Sequence, residues 1–550
     1  MRYLTTDLRP VFARERRILQ FYGHGPLTTD AVWRSSKSRY YYINGQTISL
    51  PLAEQVKEDL PAIAEYIRSS HHYDTLDQQL IQDYQRQLQP NLVHLLDLED
   101  EAFQFIQHAL QRFSNRTLMV SFSGGKDSTV VSDLVRRGIG RSDILHVFGD
   151  TTLEDEYTYE YVRQFQAENP LIPFFNARAE HDFHELVDQM GPPSRVMRWC
   201  CTIFKAGPIN NLLQSLGDQK VLTFYGIRRD ESVRRSQYHK ISWNDPDRLG
   251  TVVSVDQDAE FNGVTVGAKI GQQATASPII DWTEFDVWLY ILARNLQFNK
   301  SYRLGYSRVG CWLCPLNSEW SEMLANVFFP EDSARWRTQL IDFATRIGKP
   351  DPVEYIDDRA WVKRFGGAGL PNRFSGLEAK PCGDMANAVQ IEIDRPVNVE
   401  IEEFLKPLGR IIRDRCRPAL GEIYLEGRPN QDWEALIVQA PENSTSLRFT
   451  VINPKQDMKR LTWYFKQQST KFQTCIQCTA CSAACPHGAI TIKPDQRIYE
   501  IDQDACTGCM ECVTHFGSTG CLVAKSVSVF GSARDSIFTP LMTATPVGVI

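Results

Sequence analysis

Leu118-Met119-Val120-Ser121-Phe122-Ser123-Gly124-Gly125-Lys126-Asp127-Ser128-Thr129 joins an apolar run to a helical one through a pair of glycines. Leu118 to Val120 read as a buried strand, and Val130-Val131 with Leu134-Val135 mark the buried stripe of a helix that Asp127-Ser128-Thr129 can open. Gly124 and Gly125 let the backbone turn tightly and approach a ligand. Free N–H groups at such a helix start face an anion. Ser121 ends the strand, Ser123, Ser128 and Thr129 add hydroxyl donors, Lys126 adds a point charge, and Asp127 is an acceptor able to reach Mg²⁺ through water. The four-residue spacer of a Walker A loop is absent. A lone Gly-Gly would suit any strand–helix junction, whereas the full Ser-x-Ser-Gly-Gly-x-Asp-Ser string after an apolar strand fits a pyrophosphate cradle.

Outward from this loop, apolar strands (Leu118–Ser121, Ile144–Phe148, Val221–Tyr225) alternate with helical stretches, which predicts an α/β doubly wound parallel sheet over about 91–325. Residues 1–90 read as a small α+β cap: Val32-Trp33, the strand-like Arg39 to Ile43 before an Asn44-Gly45 turn, then helix from Leu52 to Ile67 with Pro61 as a break. Residues 326–385 read as a helical and loop-rich extension with a flexible Gly366 to Gly369. Residues 386–465 read as a small α+β module, with alternating Val389 to Ile393 and a helix near Ile401 to Ile412. An irregular tail occupies 531–550.

The 550 residues suffice for three or four domains. With 42% hydrophobic and 23% charged residues the composition is that of an ordinary soluble protein. No apolar run approaches the ~20 residues that span a bilayer, so a cytoplasmic protein is expected. A net charge of −7 argues against a surface that coats nucleic acid generally; any nucleic acid must meet a local basic patch.

Twelve of the fourteen cysteines fall into two sets, which in a cytoplasmic chain points to metal or redox work; Cys382 and Cys416 read as structural. Cys475, Cys478, Cys481 and Cys485-Pro486 follow C-x₂-C-x₂-C-x₃-C-P, the spacing by which three thiolates hold one [4Fe–4S] cluster while the fourth reaches a second. Cys506, Cys509 and Cys512 answer it. The expected ferredoxin-like assignment over 466–530 is Cys475, Cys478, Cys481 and Cys521 for one cluster, and Cys506, Cys509, Cys512 and Cys485 for the other. Eight residues, Val513 to Gly520, separate Cys512 from Cys521 where the usual spacer is short. The other set is Cys200-Cys201 with Cys311-x₂-Cys314. Zinc remains the alternative for both sets.

The glycine loop resembles that of the ATP pyrophosphatase (PP-loop) superfamily, and further stretches resemble its PAPS reductase family, in that family's order. They are Val147 to Glu154, Trp199-Cys200-Cys201-Thr202-Ile203-Phe204-Lys205, Tyr225-Gly226-Ile227-Arg228-Arg229-Asp230-Glu231-Ser232, Ser277 to Trp288, and Gly305 to Pro315. The resemblance, over about 115–320, implies an adenine nucleotide alpha hydrolase-like fold that binds ATP and Mg²⁺. Asp150, Thr151, Gly226, Arg228, Glu231 and Ser232 would join the loop in the nucleotide site. Cys200, Cys201, Cys311 and Cys314 would hold a third [4Fe–4S] cluster, with Lys205, one helical turn beyond Cys201, near its charge. Lys126, Asp127, Lys205 and Arg228 are the implied catalytic residues. Arg195, Arg198, Arg229, Arg234 and Arg235 are further cations, some expected to pair with Asp230 and Glu231.

Within this family, enzymes that reduce APS or PAPS need not cleave ATP, commonly lack the complete loop, and use a mobile C-terminal cysteine; here the loop is intact and no cysteine follows Cys521. In its loop and its Cys-Cys and Cys-x₂-Cys motifs the chain resembles the sulfur-insertion enzyme of DNA phosphorothioation, a bacterial defence modification. That implies an ATP pyrophosphatase and sulfurtransferase acting on a DNA backbone phosphate, with a cysteine desulfurase as sulfur donor and other phosphorothioation proteins as partners. The alternatives are an assimilatory-type reductase with a built-in ferredoxin and a nucleotide-sensing electron-transfer subunit.

Overall fold

The computed structural model describes residues 6–25, 31–44, 46–51, 53–69, 72–216, 220–232, 235–243, 273–383, 385–431, 433–454 and 458–529. Gly45, Leu52, Arg234 and the tail from 530 lie outside these residues. Among the described residues no helix is long and apolar enough to cross a membrane.

The central sheet has six strands in the order Phe174–Arg178, Leu145–Asp150, Thr117–Ser121, Val221–Phe224, Gln273–Ala276 and Ile241–Trp243. The first five are parallel and the last is antiparallel. Thr117–Ser121 is central, with Met119 and Val120 fully buried. The chain winds outward from this strand in one direction, then returns to place Val221–Phe224 on its other side, with Thr117 opposite Val221 and Val120 opposite Phe224. The order reverses between these two strands, and a ligand crevice opens beyond the carboxyl ends at such a point. Both Ser123–Ser128 and Gly226–Ser232 leave the sheet there.

A four-stranded antiparallel sheet (Leu8–Pro10, Val32–Ser35, Tyr40–Ile43, Gln46–Ser49) forms the cap. It shares one core with a face of the central sheet, Leu8, Phe12 and Trp33 joining Val130, Trp288 and Phe298. The helical segment expected here divides into Ala53–Glu58 and Leu60–Arg68, with Pro61 in the first turn of the second.

A third sheet is antiparallel throughout: Ala379–Cys382, Met385–Glu392, Ser446–Pro454, Trp433–Gln439, Glu422–Glu426, Arg410–Ile411. Its edge strand begins within the stretch that sequence assigns to helix and loop. The helix expected to reach Ile412 stops at Leu405, followed by a 3₁₀ turn over Lys406–Leu408, because Pro407 offers no N–H to continue it. Gly366 to Gly369, expected to be flexible, is pinned instead. Gly367 N–H donates to Ser528 O at 2.7 Å, and a side chain there would collide with the Val527 carbonyl.

The helix Met458–Thr474 leaves this sheet and enters the cysteine-rich region, where Ile490–Lys493 pairs with Ile498–Ile501 and short helices cover Ala480–Ala483, Glu511–Thr514 and Leu522–Val527. A single hydrophobic core runs from Phe183, Trp199 and Phe204 through Phe404 and Phe449 to Phe472 and Val523. The cysteine-rich region is thus packed onto the chain rather than tethered to it.

Candidate functional site

The loop after the central strand is shaped by Gly124, whose φ of +71° suits glycine and whose missing side chain leaves room beside Thr158. The helix Lys126–Ile139 starts immediately after it, capped by Gly125 rather than by a side chain. Ser128 Oγ donates to Gly125 O and accepts from Ser123 N, closing the turn. Thr129 turns away, its hydroxyl between Gly125 O and Tyr161. Lys126 N–H donates to the Tyr302 hydroxyl at 2.9 Å.

Beside the loop four charges interlock. Lys126 Nζ lies 2.9 Å from Asp127 Oδ2 and 3.3 Å from Glu284 Oε2; Arg228 Nε lies 2.5 Å from Asp127 Oδ1, and its Nη2 2.6 Å from Glu284 Oε2. Lys126 is 3% and Arg228 2% exposed, so both cations are already engaged inside the protein. Burial resists ionisation of Asp127, but Lys126 and Arg228 outweigh it and hold the carboxyl well below its usual range. Gly226 permits this contact, since a Cβ there would sit 2.7 Å from the Asp127 carbonyl carbon and 2.9 Å from Ser128 N. Glu284 has no counterpart among the sequence-predicted site residues. It starts the helix Glu284–Ala293, capped by Thr283 and Asp286, and its Oε1 also accepts from the buried Trp288 indole.

The remaining predicted residues divide into two groups. Glu231 pairs with Arg235, Asp230 with Lys37, and Arg229 with Asp281; Ser232 is exposed and accepts from Arg235 N. Asp150 and Thr151, at the end of the adjoining strand, lead to the cysteines. Asp150 Oδ1 accepts from Thr152 N and the Tyr159 hydroxyl. Thr151 Oγ1 donates to Glu154 and lies 3.2 Å from Cys311 Sγ, while Trp312 N–H donates to Leu153 O. The nucleotide-side strand end and the Cys311–Cys314 turn are therefore stitched together.

Cys200 and Cys201 share a hydrogen bond and interact electrostatically with Cys314, and Cys311 faces them. Cys200 shifts upward and Cys201 down to about 6, first because Cys200 donates to it and then because Arg198, Lys205 and Arg308 surround it. Lys205 lies on a π-helical stretch, Thr202–Ala206, rather than one regular α-turn beyond Cys201. Its ammonium is exposed and faces both Cys201 and Glu154. Arg308 has no role assignable from sequence. It neighbours Arg235 on the nucleotide side and Cys201 and Cys314 on the other, so it links the two halves electrostatically.

Toward the C-terminus, cysteines wall a pair of cavities. Cys485, Cys506, Cys509 and Cys512 line one; Cys475, Cys478, Cys481 and Cys521 line the other, with Cys512 at its edge. Among the described residues no three His, Cys, Asp or Glu side chains converge on a single-ion position. Four cysteines around each cavity are a donor set that fits an iron–sulfur group. Cys416 is elsewhere, its thiol donating a hydrogen bond to Ile412 O and accepting one from Tyr424 N–H.

The segment lining the cavity of Cys475 to Cys521 contacts the α/β domain. Asn210 Nδ2 donates to Ala483 O at 2.6 Å, His181 Nε2 meets Gln477 O at 2.9 Å, and Gly207 lets Thr479 and Ala483 approach. Gly207 directly follows the π-helical turn after Cys201.

Residues 117–317 match the phosphoadenosine phosphosulfate reductase domain, and residues 474–515 match the 4Fe-4S dicluster domain. Similar proteins include two uncharacterized proteins of Methanocaldococcus jannaschii. One is 31% identical over 45% of this chain and 46% of its own length, the other 28% identical over 49% and 57%. The aligned stretch thus spans about half the length of these relatives. An adenosine 5'-phosphosulfate reductase of Staphylococcus epidermidis is 26% identical over 40% of this chain and 81% of its own. The strand order, the loop at its reversal and the two family matches agree: this chain unites a phosphoadenosine phosphosulfate reductase domain with a 4Fe-4S dicluster domain.

Proposed function

We propose that the protein is an ATP pyrophosphatase coupled to sulfur transfer, acting on a DNA backbone phosphate. The observation that carries this reading is the complete Ser123–Ser128 loop at the sheet's reversal point, joined through Thr151 and Cys311 to a four-cysteine site. Backbone N–H groups and the Ser123 hydroxyl receive the β,γ-phosphates, with Asp127 and Asp150 as the carboxylates to hold Mg²⁺ through water. An acceptor phosphate oxygen attacks the α-phosphorus, the α–β bond breaks and pyrophosphate leaves. The terminal sulfur of a cysteine desulfurase persulfide then attacks the acceptor phosphorus, and AMP departs with the bonding pair. Two electrons and a proton cleave the remaining S–S bond, leaving the phosphorothioate and a donor thiol. Lys205 and Arg308 are the cations that oppose the oxyanion charge along this path, Arg228 and Arg235 being paired with carboxylates.

Iron–sulfur groups held by Cys200, Cys201, Cys311 and Cys314 and by the two C-terminal sets would supply one-electron steps. A second reading, reduction of a sulfonucleotide to sulfite, is favoured by the relative named as an adenosine 5'-phosphosulfate reductase. Anaerobic incubation with ATP, Mg²⁺, DNA, cysteine and a desulfurase separates them. Phosphorothioate-linked dinucleotides in the nuclease digest, with AMP and pyrophosphate, support the first reading. Sulfite released from APS or PAPS without ATP cleavage overturns it in favour of the second.

A further inference from the structure

Lys471 is a buried cation that the chemistry above does not use. It lies on the helix Met458–Thr474, one turn before Cys475, is 2% exposed, and its ammonium has no hydrogen-bond partner among the described residues. No carboxylate is among its principal electrostatic neighbours, which are Cys481, Cys512, Cys521 and Cys475. The Tyr499 ring supports it from the side at 5.4 Å, and the Tyr499 hydroxyl reaches Cys481 Sγ at 3.8 Å. A buried unpaired ammonium is costly unless an anion faces it. Among the described residues the anion to face it is whatever fills the cavity that Lys471 itself lines with Cys475, Cys478, Cys481 and Cys521.

The charge is placed unequally. Lys471 borders this proximal cavity, whose lining segment contacts the α/β domain, but does not line the distal one of Cys485, Cys506, Cys509 and Cys512. Lys471 faces Cys475, Cys481 and Cys521 of the proximal set, and of the distal set it acts on Cys512 and Cys485; Cys512 Sγ also accepts from the Gln468 amide at 3.7 Å. Cys512 borders both cavities, so the two sites are back to back and a difference in charge becomes a difference in potential between neighbours. Reduction adds a negative charge, and a fixed cation stabilises the reduced form.

We propose that Lys471 is the built-in counter-ion of the proximal cluster, raising its reduction potential above that of the distal cluster so that electrons settle beside the four-cysteine catalytic site. The proposal rests on the iron–sulfur reading of the two cavities and not on the identity of the sulfur acceptor. Its direction is distal to proximal to Cys200–Cys201, along the contact made by Ala483 and Asn210.

The test is a redox titration of the anaerobically purified full chain, followed by electron paramagnetic resonance after an iron count. In the wild type the first electron should settle on the proximal cluster, recognised as the signal altered by Cys475→Ser. Lys471→Met should shift the reduced-to-oxidised ratio of that cluster at fixed potential by at least about tenfold, 59 mV for a one-electron step. The distal cluster should move less, and Lys471→Arg should keep the wild-type order. First reduction at the distal cluster, or a Lys471→Met shift below about twofold with iron retained, overturns the proposal. If Lys471→Met loses iron, the wild-type order of reduction decides alone. Absence of C-terminal iron from the wild type instead removes the iron–sulfur reading itself.

Discussion

Replacing Arg228 by methionine tests the interlocked charges beside the loop. In the wild type two cations, Lys126 and Arg228, balance two carboxylates, Asp127 and Glu284, and none of the four side chains exceeds 15% exposure. Methionine fills much of the arginine's volume but leaves one negative charge buried without a partner. Removing one member of a buried ion pair costs about 3–5 kcal/mol. At ~2–4 °C per kcal/mol for a domain of this size, the melting temperature of its transition should fall by roughly 6–20 °C. Arg228→Met combined with Glu284→Gln restores neutrality, since Lys126 and Asp127 remain paired, and should recover more than half of the loss.

The pH dependence has a defined sign. In the wild type the Asp127 carboxyl is depressed, so its contribution is present above its unfolded value and lost as pH falls through the folded one. In Arg228→Met a buried carboxyl without its cation has a raised folded value. The deficit is then largest at neutral pH and shrinks toward about pH 5. Scanning calorimetry of anaerobic protein reads both effects. A single variant melting within about 2 °C of the wild type, or a double variant no better than the single, would refute the charge-balance reasoning.

Gly226→Ala should push a methyl group into the Asp127 backbone at 2.7 Å and displace the loop, lowering pyrophosphate release by about a hundredfold while iron content is unchanged. Cys200→Ser and Cys311→Ser should each remove about one cluster's share of iron; an unchanged iron count rejects that ligand set. His146 is fully buried between Ser132 Oγ and Ile144 O, and burial lowers it to about 4. Its contribution to stability is complete above the unfolded value near 6.5 and is lost, by about 3 kcal/mol, as pH falls toward the folded one. His146→Gln should therefore flatten the drop in melting temperature between about pH 6.5 and 4.5; an unchanged slope contradicts the assignment.

The loop and eleven of the twelve organised cysteines are legible in the sequence because each sits in a short contiguous motif whose spacing is itself the signal; Cys521, separated from Cys512 by eight residues, is the natural remaining partner rather than part of a motif. Glu284 and Arg308 lie within the Ser277–Trp288 and Gly305–Pro315 stretches, where no partner is readable for either, and Tyr302 lies outside both. Their role comes from partners brought together by the fold, such as Arg228 and Glu284 or Lys126 and Tyr302, which local spacing does not encode. The acidic start of the Thr283–Asp286 capping box is the one usable pointer to Glu284. The edge strand Ala379–Cys382 is illegible for a different reason. It is half exposed and contains Pro381, so it lacks the apolar alternation of a central strand. The pinned Gly367 shows the same limit, because the segment that fixes it lies at Val527–Ser528.

The function proposed for this protein stands or falls on whether the Ser123–Ser128 loop cleaves ATP between its α and β phosphates. ATP labelled at the α-phosphorus, incubated anaerobically with Mg²⁺, the desulfurase system and DNA, reports that cleavage. Labelled AMP with stoichiometric pyrophosphate is expected, abolished by Asp127→Ala in protein that keeps its iron. Labelled ADP, no cleavage with any acceptor, or full activity in Asp127→Ala would contradict it.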